Sequence, residues 1–167
     1  MAPVLVAAAG VLAACGSGGN TGTTPTSAST ASDTWYTAVK SCDMLDQSQL
    51  ATLGFMGTGS VQENDSTQNS CEWTQSQLGS MGIVLASSTY SSLNGLGDPV
   101  TDVTIAGRPG KIAEDPSSVG GCDLAIEATS GSRAQIIVTV AGGSDKACSI
   151  AKQVAADIAP KLPSLSG

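Results

Sequence analysis

Four cysteines, Cys42, Cys71, Cys122 and Cys148, are spread along the larger, C-terminal part of the chain, and a fifth, Cys15, closes the run Leu12-Ala13-Ala14-Cys15. In an oxidising compartment an even set of cysteines becomes a set of cross-links, which dictate the segments that must meet. Four cysteines allow three pairings. Cys42–Cys71 and Cys122–Cys148 are favoured, each closing a loop of about 25–30 residues and contributing about 3–4 kcal/mol in the chain-entropy model. Zinc binding is the weaker reading, because no two of the four lie at the close spacing of paired zinc ligands.

The oxidising context is argued from Cys15. Val4 to Ala14 is a run of Val, Leu, Ala and one Gly. A membrane-spanning helix needs about 20 such residues, so the run has the length of a signal-peptide core. Small residues at 13 and 14 suit a peptidase pocket, and the Cys15 thiol can then carry a thioether-linked diacylglycerol. Each buried CH₂ contributes roughly 0.8 kcal/mol, and stable anchoring takes two chains, which one diacylglycerol supplies. The alternative is an ordinary buried or unpaired cysteine. Met1-Ala2-Pro3 lacks the Lys or Arg that normally opens a signal peptide, which points to a start further upstream.

Gly16 to Asp33 contains only Gly, Ser, Thr, Asn, Ala, Asp and one Pro. Such a segment cannot bury enough surface to offset its ordering entropy. As a coil it reaches on the order of 25 Å, enough to lift a domain off lipid headgroups. Thr21 to Thr30 either carries O-linked sugars or is a bare spacer. The expected organisation is a signal peptide at 1–14, a lipidated cysteine and disordered linker at 15–33, and one globular domain at 34–167.

The chain has no histidine, which removes Ser-His-Asp and Cys-His catalysis, histidine metal sites and histidine pH switching. Its formal net charge of −7 argues against nucleic acid and against a basic patch on anionic lipid. Trp35, Tyr36, Phe55, Trp73 and Tyr90 are all its aromatics, so the core must rest on Val, Ile, Leu and Ala.

Asp46, followed by Leu50, Ala51, Leu53 and Gly54, predicts a short helix with an acidic cap and a glycine stop, after a turn at Asp43 to Leu45. Gly57 to Asn69 reads as a loop. Strands are predicted at Ser70–Thr74, Gly82–Ser87, Val100–Ile105, near Lys111–Ala113, from Cys122 to Ala128 and at Ala134–Val140. Turns are expected at Gly107-Arg108-Pro109-Gly110 and Ser130-Gly131-Ser132, and a loop with helical turns at Tyr90–Pro99. Ser144 to Ala159 is the clearest helix. Ser144 or Asp145 caps it, Ala147, Ile150, Ala151, Val154 and Ile158 form one stripe, and Pro160 ends it. Cys148 in its first turn can reach the strand of Cys122. The order implies an α+β domain: a largely antiparallel sheet flanked by a short N-terminal helix and a C-terminal helix.

Several features taken together resemble the actinobacterial lipoprotein family called domain of unknown function 3558. They are the Cys15 lipobox, the low-complexity tether, and Cys42 just before a Leu-containing helix ending in Gly54. To these add Cys71-Glu72-Trp73, the Gly107-Arg108-Pro109 turn, Cys122 at a strand start and Cys148 opening the last helix. The resemblance covers about residues 35 to 163. It implies an exported, membrane-anchored domain similar to the PsbP-like fold, with no established activity and no catalytic residues. The family often has Asp-Pro before its first cysteine, where this chain has Lys40-Ser41.

No local pattern carries catalysis. Glu114-Asp115 reads as a solvated loop, and Asp98 with Asp102 lacks the oxygen density of a calcium loop. Gly142-Gly143-Ser144-Asp145-Lys146 lacks the full phosphate-loop pattern. A Ser-Lys dyad would need Lys40, Lys111 or Lys146. Arg108 and Arg133 read as water-facing turn residues, and Trp73 as packing on a Cys42–Cys71 bridge. The expected function is a non-enzymatic interaction module without cofactor or metal, held on the outer face of the cell membrane, its partner an envelope protein. A small-ligand or lipid carrier is the alternative, and a Ser-Lys or carboxylate hydrolase the third reading.

Overall fold

A computed structural model describes residues 34–93, 99–115 and 120–165. Cys15, the tether, Asp98 and Pro116 lie outside them. The chain opens with α1 (Trp35–Ala38) and a 3₁₀ turn at Ser41–Asp43, followed by α2 (Gln47–Leu53). Asp46 caps α2 as expected: its carboxylate accepts the Gln49 N–H at 2.8 Å while the Gln49 side chain accepts the Asp46 N–H at 3.0 Å. Gly54 ends the helix at φ 86°, a left-handed conformation.

Seven strands follow: β1 (Ser60–Asn64), β2 (Gln68–Gln75), β3 (Gly79–Ala86), β4 (Val100–Ile105), β5 (Arg108–Asp115), β6 (Gly121–Thr129) and β7 (Ser132–Val140). They form one antiparallel sheet in the order β1-β2-β3-β7-β6-β5-β4. It is two meanders, β1–β3 and β4–β7, joined where β7 pairs β3. The chain leaving β3 must therefore reach the far edge to begin β4. Helix α3 (Ser144–Ile158) closes the domain. The fold is α+β, as the order of sequence signals implies.

Among the described residues the α-helices cover one sheet face only. Alternation places Cys71, Trp73, Met81, Ile83, Leu85, Leu124, Ile126, Ile136 and Val138 on that face, all buried. Over β5–β7, α3 lays down Ala147, Cys148, Ile150, Ala151, Val154, Ala155 and Ile158. Over β1–β3 sits the N-terminal segment, with buried Trp35, Tyr36, Met44, Leu45, Leu50 and Phe55. Each such large apolar side chain contributes roughly 1.5–3 kcal/mol.

Each helical layer is cross-linked to the sheet. Cys42 is bonded to Cys71, with their Cα atoms 5.1 Å apart, and Cys122 to Cys148, at 5.0 Å. Polar contacts add to this. Asn69 accepts from the Ser41 hydroxyl at 2.6 Å and donates to the carbonyls of Tyr36 and Val39. The Trp35 indole N–H donates to the Ser132 hydroxyl at 2.7 Å, and Lys161 donates to the Met44 carbonyl at 2.7 Å.

Several expectations need correction. The stretch read as a loop at 57–69 contains β1, an exposed edge strand with no alternation to betray it. Glu114 and Asp115 end β5 rather than lying in a loop. The β4–β5 turn is Ala106-Gly107, one residue ahead of the expected Gly107–Gly110; both residues have positive φ, 49° and 79°. The N-cap of α3 is Gly143, not Ser144 or Asp145.

Arg108 overturns its reading as a water-facing turn residue: it opens β5, is buried, and points to the helical face. Its guanidinium donates to the carbonyls of Glu127 at 3.0 Å, Ala128 at 3.4 Å, Leu162 at 3.3 Å and Pro163 at 2.6 Å. Its planar fork of donors, which lysine lacks, lets one side chain bind a strand end and the C-terminal segment together.

Candidate functional site

The second face of the sheet bears no α-helix among the described residues. Read across the strands, its rows are Ser70-Val84-Gln135-Ala125-Lys111-Asp102 and Glu72-Gly82-Ile137-Asp123-Ala113. The chain leaving β3 crosses the β5–β7 half of this face. A 3₁₀ turn at Tyr90–Ser92 rests on those strands, and Leu93 is buried. Arg133 holds this strap down. Its guanidinium donates to the Thr89 carbonyl at 3.3 Å and the Ser92 hydroxyl at 2.8 Å. Arg133 is half-buried rather than water-facing, which corrects the reading from sequence, and its Nε is buried without a partner among the described residues.

Asp123 lies on the strapped half of this face, buried, with both carboxylate oxygens accepting from the Gln135 amide at 2.9 and 2.8 Å. Burial pushes its carboxyl above the ordinary range, against the opposing pull of the Gln135 hydrogen bond and the Arg133 charge. Burial likewise lowers Arg133, against the Asp123 charge. No sequence pattern reveals this cluster, because only strand pairing puts Asp123 beside Gln135 and beneath the crossover.

Among the described residues no strap crosses the β2–β3 half. A cleft of about 250 Å³ opens there, lined by Gln62, Ser70, Glu72, Ser80, Gly82, Val84 and Ile137, with Cys71 at its base. A second, of about 390 Å³, lies at the end of the β2–β3 hairpin against Thr139–Ala141. A third, of about 280 Å³, separates the segment at 37–42 from β1 and β2.

The residues singled out from sequence do not converge on one centre. Lys111 pairs with Asp102 at 2.8 Å, and Lys146 donates to the Ala141 carbonyl at 3.1 Å, so neither ammonium is directed by these contacts at a serine. Trp73 is buried on the face of Cys71. Among the described residues no group of three or more His, Cys, Asp or Glu could hold a metal, and no helix is long and apolar enough to cross a membrane.

The chain matches the family described as Protein of unknown function (DUF3558) over residues 10–161. The chain belongs to the DUF3558 family. The match takes in both disulfides, the whole sheet and α3. No curated protein and no solved structure matches it.

Proposed function

We propose that this DUF3558 protein is an exported lipoprotein, acylated at Cys15 and held on the extracytoplasmic face of the cell membrane, where its open sheet face binds an envelope protein. The observation that carries the reading is the uncovered β2–β3 half of the second sheet face. Antiparallel sheets commonly leave one face to solvent with polar side chains outward. Here the uncovered half keeps Val84 and Ile137 partly exposed around a cleft.

The attachment point supports that orientation. Trp35 is tied to Ser132 beside the β6–β7 turn, and Tyr36 to the Ser66 carbonyl in the β1–β2 turn. A tether entering at residue 34 therefore joins one end of the sheet, leaving the β2–β3 hairpin at the distal end. Two cross-links suit an oxidising compartment. A carrier with an apolar pocket between sheet and helix is less favoured: Leu124, Ile126, Ile136, Val138, Ala151, Val154 and Ile158 fill that space and are wholly buried.

Site-specific photo-crosslinking in intact cells tests the reading. Probes at Thr74 and Ser80, on the open face, are expected to capture one protein that a probe at Lys152 on the outer side of α3 does not. Equal capture from both faces, or co-purifying lipid in place of a protein, contradicts it.

A further inference from the structure

Gly82 sits in the interior of β3, a strand paired on both sides. Glycine there is unfavourable by roughly 0.5–1 kcal/mol relative to alanine and marks a bulge, a tight bend or the close approach of another group. The register through Gly82 is continuous with β2 and β7, so there is no bulge. Its φ lies outside the left-handed region. A Cβ built on it meets nothing closer than the Cys71 carbonyl at 3.8 Å and the Ile137 carbonyl at 3.9 Å, so packing does not demand glycine either. What remains is the space that a side chain would fill, the cleft between Val84 and Ile137.

Among the described residues Glu72 is the only charged one lining this cleft. In register it faces Ser60 on one side and Gly82 on the other. The one ion pair among the described residues is Lys111–Asp102, on β5 and β4 at the far side of the sheet, and Arg133 is committed to the strap. The cleft therefore has Val84 and Ile137 as its apolar walls, Gln62, Ser70 and Ser80 around them, and at its edge a carboxylate without a partner among the described residues, on a chain of net charge −7. About 250 Å³ falls below the roughly 300–1,000 Å³ of sites that enclose a cofactor-sized ligand, but it admits one long side chain.

We infer that the Gly82 cleft receives a lysine or arginine side chain of a protein partner, its alkyl stem over Gly82 between Val84 and Ile137 and its cation on Glu72. Long basic side chains bury their stems along apolar surface while the charged head meets an acceptor. This inference rests on the open-face interaction reading and gives that face its partner chemistry.

The test is an amide chemical-shift titration of the oxidised domain with a short acetylated, amidated peptide bearing one lysine, beside its norleucine analogue. The lysine peptide should shift Glu72, Gly82, Val84 and Ile137, in the millimolar range expected for a single side chain. The shifts should weaken at least fivefold in Glu72→Gln and vanish in Gly82→Val. Because valine suits an open strand position, Gly82→Val should fold and melt no lower than wild type. Equal shifts from the norleucine peptide, shifts unchanged in Gly82→Val, or none localised to the cleft overturn the inference. So does a destabilised Gly82→Val, which would make the glycine a packing requirement. The two readings fail separately. A partner crosslinked from Ser80 in wild type and in Gly82→Val alike keeps the open-face interaction and removes the cleft. Cleft shifts with no captured protein remove the envelope-partner reading alone.

Discussion

Removing Cys122–Cys148 by the double substitution Cys122→Ala/Cys148→Ala is the most quantitative perturbation of this fold. The bridge spans a sequence separation of 26, and Cys42–Cys71 spans 29. With the loop-closure entropy of about 2.1 + 1.5R ln n cal/mol/K, either loop confines the unfolded chain by about 3.5 kcal/mol at 25 °C. Cys122 and Cys148 are both buried between β6 and α3, so losing two sulfur atoms there adds a packing loss to the entropic one. This variant should therefore lose at least about 3.5 kcal/mol, and Cys42→Ala/Cys71→Ala should agree with it to within about 1 kcal/mol. For a domain of this size that is a fall in Tm on the order of 10–18 °C. Urea unfolding followed by far-UV circular dichroism measures it, with reduced wild type as the comparison for both bridges together. A loss below about 1 kcal/mol at unchanged m refutes the reasoning, because the cross-link would then not be what limits the unfolded chain.

Three further outcomes are expected. Arg108→Met removes the donors to four carbonyls. With the two best bonds charge-assisted, it should cost about 3 kcal/mol and speed amide exchange selectively at 159–163; uniform exchange changes would contradict the local role. Ala106→Asn should raise stability by about 0.5–1 kcal/mol in thermal melts, because alanine is strained at φ 49° while Asn-Gly is preferred in a two-residue hairpin turn; a lower Tm would contradict this. Asp123 has a folded-state pKa above its unfolded one, so folding takes up protons between the two values. Its ionisation costs stability as pH rises from the unfolded to the folded pKa. Asp123→Asn should accordingly flatten the stability-pH curve above pH 4 and be relatively more stable at neutral than at acid pH; an unchanged curve shape would contradict the assignment.

The elements legible in the sequence are those whose apolar residues recur with a period. The α3 stripe from Ala147 to Ile158 and the alternation of Cys122 to Ala128 each mark one face, and Asp46 and Gly54 bracket α2 by cap chemistry. β1 is invisible because all five of its residues are exposed and its only support is pairing with β2. α1 is a single turn fixed by burial of Trp35 and Tyr36, not by periodicity. Arg108 was masked by its neighbours, since Gly107, Pro109 and Gly110 have turn composition, yet the chain reverses one residue earlier. The open face and its cleft depend on β7 lying beside β3, a contact between residues some fifty positions apart that no local pattern encodes. Gly82 illustrates the limit: in sequence it begins an apolar run, and only its two paired neighbours show what its missing side chain leaves open.

The central claim, an oxidised domain on a lipid anchor, is tested most directly by intact-mass and non-reducing peptide analysis of the native protein from cell membranes. The account predicts a mature chain beginning at Cys15, heavier by a diacylglycerol, with Cys42 joined to Cys71 and Cys122 to Cys148. A soluble protein that keeps residues 1–14 and has four free thiols in its folded domain would contradict it.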